Sequence, residues 1–262
     1  MDKKIALLII DAQFDFCDPK GSLFVDNADK DMLRLAEFIT KNKNSINYIG
    51  MTMDSHQVLD IAHPGFWTDK DGNFPPIFTI ITYQDVLDGK WSPRFVPNEA
   101  TKYIEELEKQ GEFPHCIWAE HCVIGTKGAS FVEPIMDAVT AWARETKSFY
   151  QVVAKGTYPL TEHFGAFRAN IPVAGHPETQ LNQALLQKLE TFDVIYFAGE
   201  AQSHCVANTL KQAMQFPELA KKFIILTDCM SPVTGFEHMA DSIYADAQAM
   251  GIKFEVSTNI KL

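Results

Sequence analysis

A chain of 262 residues with 46% hydrophobic side chains can bury a full core as one large α/β domain or as a domain carrying a sizeable insertion, which sets disorder aside as its main state. A formal net charge of −11 argues against gripping nucleic acid or an anionic membrane by bulk electrostatics, and favours a small-molecule or protein partner. Five cysteines, at 17, 116, 122, 205 and 229, are odd in number and form no CxxC pair, so free thiols are expected rather than a disulfide framework or a zinc ribbon.

In chain order, MDKKIALLIIDAQ opens with lysines and a short apolar run that stops at Asp11, too short for a signal-peptide core or a membrane span. A cytoplasmic protein is expected. Apolar, β-branched runs then recur: KIALLII (4–10), INYIGMTM (46–53), FYQVVA (149–154), DVIYFAG (193–199), KFIILTD (222–228) and IKFEV (252–256). Helical spacing fills the intervals in DKDMLRLAEFITKNK, EPIMDAVTAWARET, ETQLNQALLQKLETF, SHCVANTLKQAMQF and EHMADSIYADAQAMG. Strands apolar on both faces alternating with helices predict a mostly parallel central sheet with helices on both faces, in one domain spanning 1–262. Residues 64–115, rich in Pro, Gly and aromatics at their start and ending in the helix-like NEATKYIEELEKQ, break the pattern. They are expected to form an insertion carrying a lid or an oligomer contact, with Trp67, Trp91 and Trp142 packing the insertion and a helix face, and Trp67 or Trp91 as candidates to close over substrate. A homo-oligomer is expected.

In such a sheet function sits at the carboxyl ends of the strands. Asp11 ends the first strand, Lys155 ends FYQVVA, and Cys205 follows DVIYFAG at the start of a helix. Alone, the aspartate reads as a turn former and the cysteine as a small buried side chain. Together they suit acyl transfer through a thioester. A cation and a helix N-terminus favour a thiolate, the carboxylate moves a proton, and the amides around Ala201 and Cys205 face an oxyanion. After the second strand, MTMDSHQVLDIAHPGFW supplies Asp54, His56 and His63, and CIWAEHCVIGT adds His121. Carboxylate plus imidazoles is a donor set for one divalent ion, zinc foremost, with iron and manganese as alternatives. The remaining histidines, His204 beside the cysteine included, lack comparable context.

The opening IDAQFDFCDPKGSL is similar to the D-x-Q-x-D-F-C…G-G-S-L signature of the nicotinamidases, within the isochorismatase-like cysteine hydrolases. TMDSH, EHCVIGTKGASF, VVAKGTY and GEAQSHCVANT follow in that family's order. The resemblance implies an isochorismatase-like, Rossmann-like three-layer fold, an Asp-Lys-Cys triad at Asp11, Lys155 and Cys205, and a cis peptide at Glu200-Ala201 that turns the Ala201 and Cys205 amides toward the oxyanion. It also implies a metal at Asp54, His56, His63 and His121 that orients the substrate, and pocket walls from Phe16, Trp118 and Phe164. The implied reaction is hydrolysis of nicotinamide to nicotinate and ammonia, in NAD salvage. The chain departs from the pattern at Phe14, in the spacing of His56 and His63, and in TEHFGAFRANIPVAGHPET, which replaces a serine-containing stretch. A related hydrolase acting on a different amide and a non-catalytic binding module of the same fold are the alternatives. A dinucleotide enzyme lacks its G-x-G-x-x-G.

Overall fold

The computed structural model describes residues 3–262. Eight strands run in chain order: β1 (Ile5–Ile10), β2 (Ile46–Asp54), β3 (Trp67–Thr68), β4 (Ser92–Pro93), β5 (Gln151–Lys155), β6 (Val194–Gly199), β7 (Phe223–Leu226) and β8 (Lys253–Glu255). The helices are α1 (Phe14–Cys17), α2 (Ala28–Asn42), α3 (Tyr83–Leu87), α4 (Pro97–Lys109), α5 (Glu133–Thr146), α6 (Gln183–Glu190), α7 (Ala207–Ala213), α8 (Pro217–Ala220) and α9 (Asp241–Ala249). Six strands form one parallel sheet in the order β5-β2-β1-β6-β7-β8. The strand order reverses at β1 and β6, so the crevice expected at their carboxyl ends is where Asp11 and the loop to Cys205 emerge.

Side-chain alternation along β1 divides the core. Leu7 and Ile9 pack on one face with Leu35, Phe38 and Ile39 of α2 and with Ile135, Val139 and Trp142 of α5. Ala6, Leu8 and Ile10 pack on the other with Leu185 and Leu189 of α6, Leu210 of α7 and Ile243 of α9. Pro97 and Pro134 lie in the first turns of α4 and α5, where a missing N–H breaks no helical bond. The Trp142 indole donates to Ile46 O at 3.0 Å, which ties α5 to the start of β2.

Two expectations need correction. The strands are not all buried on both faces, because β5 is an edge strand whose Gln151, Val152 and Ala154 are exposed while Val153 and Lys155 point inward. The helix expected over 178–192 shortens to α6. Its start is fixed at Asn182, whose side chain accepts the Leu185 N–H at 3.0 Å, and Pro177–Thr179 makes a separate 3-10 turn.

Residues 64–115 contain the β3-β4 pair, α3 and α4, arranged around a third apolar cluster that includes Phe66, Trp67, Ile81, Tyr103, Ile104 and Leu107. Trp67 is fully buried there and donates its indole N–H to Ile61 O at 2.7 Å, and Trp91 packs on the same cluster. Neither lines the cavity beside Cys205, so the expectation that one of them closes over substrate fails. Among the described residues no helix is long and apolar enough to cross a membrane.

Candidate active site

Four strand ends converge. Asp11 follows β1 with φ 43, a left-handed conformation that an aspartate adopts at a cost and that accompanies sites where a side chain must be aimed. Thr52 of β2 holds it twice: its hydroxyl donates to Asp11 Oδ1 at 2.6 Å and accepts the Asp11 N–H at 3.0 Å. Gly199, at φ 123, ends β6 where a β-carbon would collide with the backbone of Ile10, so only glycine lets the two strand ends close up. The next peptide, Glu200-Ala201, is cis. The chain then makes one π-helical turn, Gln202–Val206, into α7, and Cys205 sits in that turn rather than at the first residue of a regular helix. The His204 and Val206 N–H groups donate to Ala201 O at 3.0 and 3.1 Å, whereas the Ala201 N–H has no acceptor among the described residues.

Lys155 joins these parts. Its Nζ lies 2.8 Å from Asp11 Oδ2, 3.3 Å from Asp54 Oδ1 and 3.7 Å from Cys205 Sγ, and it donates to His163 O at 3.0 Å. A carboxylate oxygen of Asp11, one of Asp54 and the Cys205 sulfur all fall within 4.8 Å of one another. Burial opposes the lysine's charge, but Asp11, Asp54 and Cys205 outweigh it and hold Lys155 well above its usual value. Burial also drives the Cys205 thiol up, and Lys155 only partly offsets it because Asp11 and Asp54 push the same way as burial. Burial and the two aspartates thus favour the neutral thiol over the standing thiolate that a cation and a helix start suggest. Asp11 is raised by burial, against the pull of Lys155.

The second set adjoins the first through Asp54. Its Oδ1 faces Lys155 while its Oδ2 lies 3.2 Å from His56 Nε2 and 3.9 Å from His121 Nε2. The Gln13 side-chain amide fixes the Asp54 backbone from both sides, accepting its N–H at 2.7 Å and donating to its carbonyl at 2.8 Å. Each imidazole is held by its Nδ1: His56 by Asp60 Oδ2 at 3.0 Å, His63 by Val58 O at 3.3 Å and His121 by Ala119 O at 2.8 Å. Carbonyl acceptors at Nδ1 require that nitrogen to carry the proton in His63 and His121, which leaves Nε2 with a free lone pair.

His63 Nε2 is buried with no partner among the described residues, an orphan that a cation would satisfy. Asp54, His56 and His121 offer donor atoms within 4.8 Å of one another. His63 lies just outside that group, its ring 5.2 Å from that of His56 and 5.4 Å from that of His121. Burial would raise Asp54, but the charges on His56 and Lys155 hold it low; burial and the His56 charge push His121 well down. Three imidazoles and a carboxylate in a dry site are a donor set suited to a borderline-soft divalent ion.

Beside Cys205 lies a narrow, mostly apolar cavity whose walls include Phe16, Trp118 and Phe164, together with Ala201 and His204. All three expected wall residues are thus in place. His204 is the residue that sequence reasoning set aside. The π turn swings its ring toward Trp118 and Phe164, 4.9 and 5.5 Å between centroids, and burial pushes it down to about 3, so it lines the cavity as a neutral ring. Thr52 and Asp60 escaped notice, and Gln13, the glutamine of the D-x-Q motif, was given no role. Of the first two, Asp60 left a trace in the sequence, as an acidic residue four positions after His56.

No family model matches the chain. A nicotinamidase of Saccharomyces cerevisiae is 26% identical over 246 residues, covering 94% of this chain and 96% of that protein. Among solved structures, the yeast nicotinamidase bound to the inhibitor nicotinaldehyde superposes with a TM-score of 0.65 at 21% identity, covering 96% of this chain and 99% of that one. An Acinetobacter nicotinamidase/pyrazinamidase gives 0.64 at 18% identity, with 98% of each chain covered. The Pyrococcus horikoshii pyrazinamidase in complex with zinc gives 0.56 at 20%, covering 97% and 99%. Over nearly its whole length the chain is thus similar to nicotinamidases, shares their fold, and carries the strand-end trio and the Asp-His set in the motif order read from the sequence.

Proposed function

We propose that the protein is a metal-dependent cysteine amidohydrolase that converts a small carboxamide, nicotinamide foremost, to the acid and ammonia, as in NAD salvage. The observation that carries this is the convergence of Lys155 on Asp11, Cys205 and Asp54, which puts nucleophile, proton carrier and a metal-ligand carboxylate within one contact of a single buried cation. It is a hydrolase of linear amides, the class to which its yeast relative belongs by name.

The steps follow from the resting protonation. Cys205 Sγ attacks the amide carbon as its proton passes to Asp11, so no free thiolate need persist in a buried site. The carbonyl oxygen becomes an oxyanion facing the Ala201 and Cys205 amides, the former already without a partner. Collapse breaks the C–N bond while Asp11 returns the proton to the leaving nitrogen, which departs as ammonia. Water then attacks the thioester, gives a proton to Asp11 and releases the acid, and that proton goes back to sulfur. Lys155 keeps its charge throughout and lowers the energy of sulfur and carboxylate whenever they are anionic. Asp54, His56, His63 and His121 would hold the divalent ion, zinc by its donor set, which supplies a Lewis-acid point that orients a substrate ring nitrogen. Phe16, Trp118 and Phe164 sandwich a flat ring. The same reading takes residues 1–262 as one cytoplasmic, oligomer-forming domain with 64–115 as an insertion.

The test is ammonia release from nicotinamide by purified protein supplied with zinc, manganese or iron(II). Release that needs both Cys205 and metal sustains the reading, with Cys205→Ala inactive but metal-loaded and His56→Ala metal-poor. No release from folded, metal-loaded protein sinks nicotinamide as substrate and points to another amide, admitted by the altered 161–180 segment.

A further inference from the structure

Behind the nucleophile turn lies a pair of buried carboxyl groups that the reaction does not use. Glu200 is fully buried. Its N–H donates to Ile10 O at 2.9 Å, its Oε2 accepts the Ser231 N–H at 3.0 Å, and its Oε1 has no donor. The Asp31 carboxyl of α2, 2% exposed, is held by the same residue, Ser231, which donates its N–H to Glu200 and its hydroxyl to Asp31. Asp31 is well supplied: its Oδ2 accepts the Ser231 hydroxyl at 2.5 Å and its Oδ1 is paired with Arg34. Ser231 O in turn accepts the Gln202 N–H at 2.8 Å, so the 228–233 loop is stitched to the turn that carries Ala201 and Cys205. The other ionisable groups facing Glu200 are the Cys17 thiol of α1, Arg34 of α2 and Tyr244 of α9.

The charges do not balance if both acids ionise. Two carboxylates would share one guanidinium, and Arg34 already pairs with Asp31 and donates its Nε to Asp228 O at 2.5 Å. Two buried carboxylates held by the same residue, Ser231, repel each other unless one carries a proton. A buried carboxylate oxygen with no donor is also costly. Glu200 has the single backbone donor, and Asp31 has the hydroxyl and the cation.

We propose that Glu200 and Asp31 share one proton, carried by Glu200, and that this neutral acid is a positioning residue that locks the 199–203 turn through Ser231 and so holds the Ala201 N–H in place beside Cys205. Burial and the Asp31 charge, which push Glu200 well up, agree with it. The positioning half rests on Ala201 serving as an oxyanion donor; the proton half does not. Its linkage is opposite to that of a salt-bridged acid. The folded state keeps a proton that the unfolded chain gives up above the ordinary value of 4.5, so this group's contribution to stability falls as pH rises from there toward the raised folded value. Glu200→Gln, permanently neutral and able to accept from Ser231, removes that decline.

Isotope-edited infrared spectra of the intact metal-loaded protein, with labelled glutamate, decide the proton. Burial also pushes the Glu162 carboxyl up to about 8, so a protonated-carboxyl signal at neutral pH that loses one component in Glu200→Gln is expected; no such signal, or one that the substitution leaves unchanged, overturns the proposal. Kinetics decide the positioning. Glu200→Gln should keep kcat within about threefold and lose less melting temperature than wild type between pH 6 and 9, whereas Glu200→Ala should lower kcat at least about tenfold at little-changed KM. Should Glu200→Ala fail to fold, the comparison of Glu200→Gln with wild type stands alone. A Gln variant as impaired as Ala overturns the proposal, because an ionised carboxylate would then be required. A wild-type protein that releases no ammonia from nicotinamide counts against the substrate, and the infrared result still decides the proton.

Discussion

At the carboxyl ends of β1, β2, β5 and β6 the buried side chains are charged, strained or left with orphan atoms. The 64–115 segment, much of it exposed, packs Phe66, Trp67, Ile104 and Leu107 around an apolar core whose orphan side-chain atoms are His115 Nδ1 and the Trp91 indole nitrogen. Both meet at Ile61, whose carbonyl accepts the Trp67 indole at 2.7 Å and His115 Nε2 at 3.0 Å, between His56 and His63 in the chain. The strand ends give up packing economy to aim chemistry, and the segment supplies the apolar mass to which the loop carrying His56 and His63 is tied. Chemistry and rigidity are therefore separable by mutation.

The sharpest separation is Cys205→Ala. Turnover should fall by about 10⁴-fold or more, measured as ammonia release, with melting temperature and bound metal little changed. Lys155→Met strikes the same region as architecture: it strands Asp11 and Asp54 as buried carboxylates without their cation and should cost about 3–5 kcal/mol in denaturant unfolding along with all activity. Trp67→Ala should cost a comparable 3–5 kcal/mol through the cavity it leaves, yet spare kcat in whatever fraction stays folded while weakening metal binding through the freed Ile61 carbonyl. Equal loss of kcat and stability in Trp67→Ala would erase the division between the two regions.

Acid should find both regions at once. His163 and His204 near the strand ends are pushed down by burial to about 3, and His115 in the insertion to about 4. Groups that bind protons unfolded but not folded add stability that is complete above about 6.5 and drains away as pH falls. Melting temperature should therefore drop steadily between pH 6.5 and 4, and His115→Gln should flatten part of that slope. The smallest effect belongs to Asp85→Ala, which opens the capping box with Thr82 at the start of α3; about 1 kcal/mol at most and an unchanged kcat are expected.

What the sequence disclosed and what it hid divide along similar lines. All six strands of the sheet were legible because their apolar runs are short and bounded. Asp11, Lys155 and Cys205 were legible because a parallel sheet brings its carboxyl ends together. Of 64–115 only α4 was legible, by its amphipathic period; the rest was not, since its strands are two residues long and α3 spans only Tyr83–Leu87. Thr52, Asp60 and the Glu200-Asp31 pair stayed hidden for a related reason: each acquires its role only from a partner delivered by another element. His204 went without a role because nothing in the sequence marks the π turn from which it lines the cavity beside Cys205.

Gln13 completes the account of how the two sets keep their spacing. Its amide meets the Asp54 backbone as one peptide unit meets another, N–H to carbonyl in both directions, three residues beyond the last strand residue of β1. The ladder between β1 and β2 has in effect one more rung, made from a side chain, and the strand that must end so that Asp11 can turn away is nonetheless tied to its neighbour at the height where Asp54 faces both Lys155 and the imidazoles. Glutamate there would set an acceptor against an acceptor and cut the rung in half, leaving Asp54 to find its own distance from the cysteine.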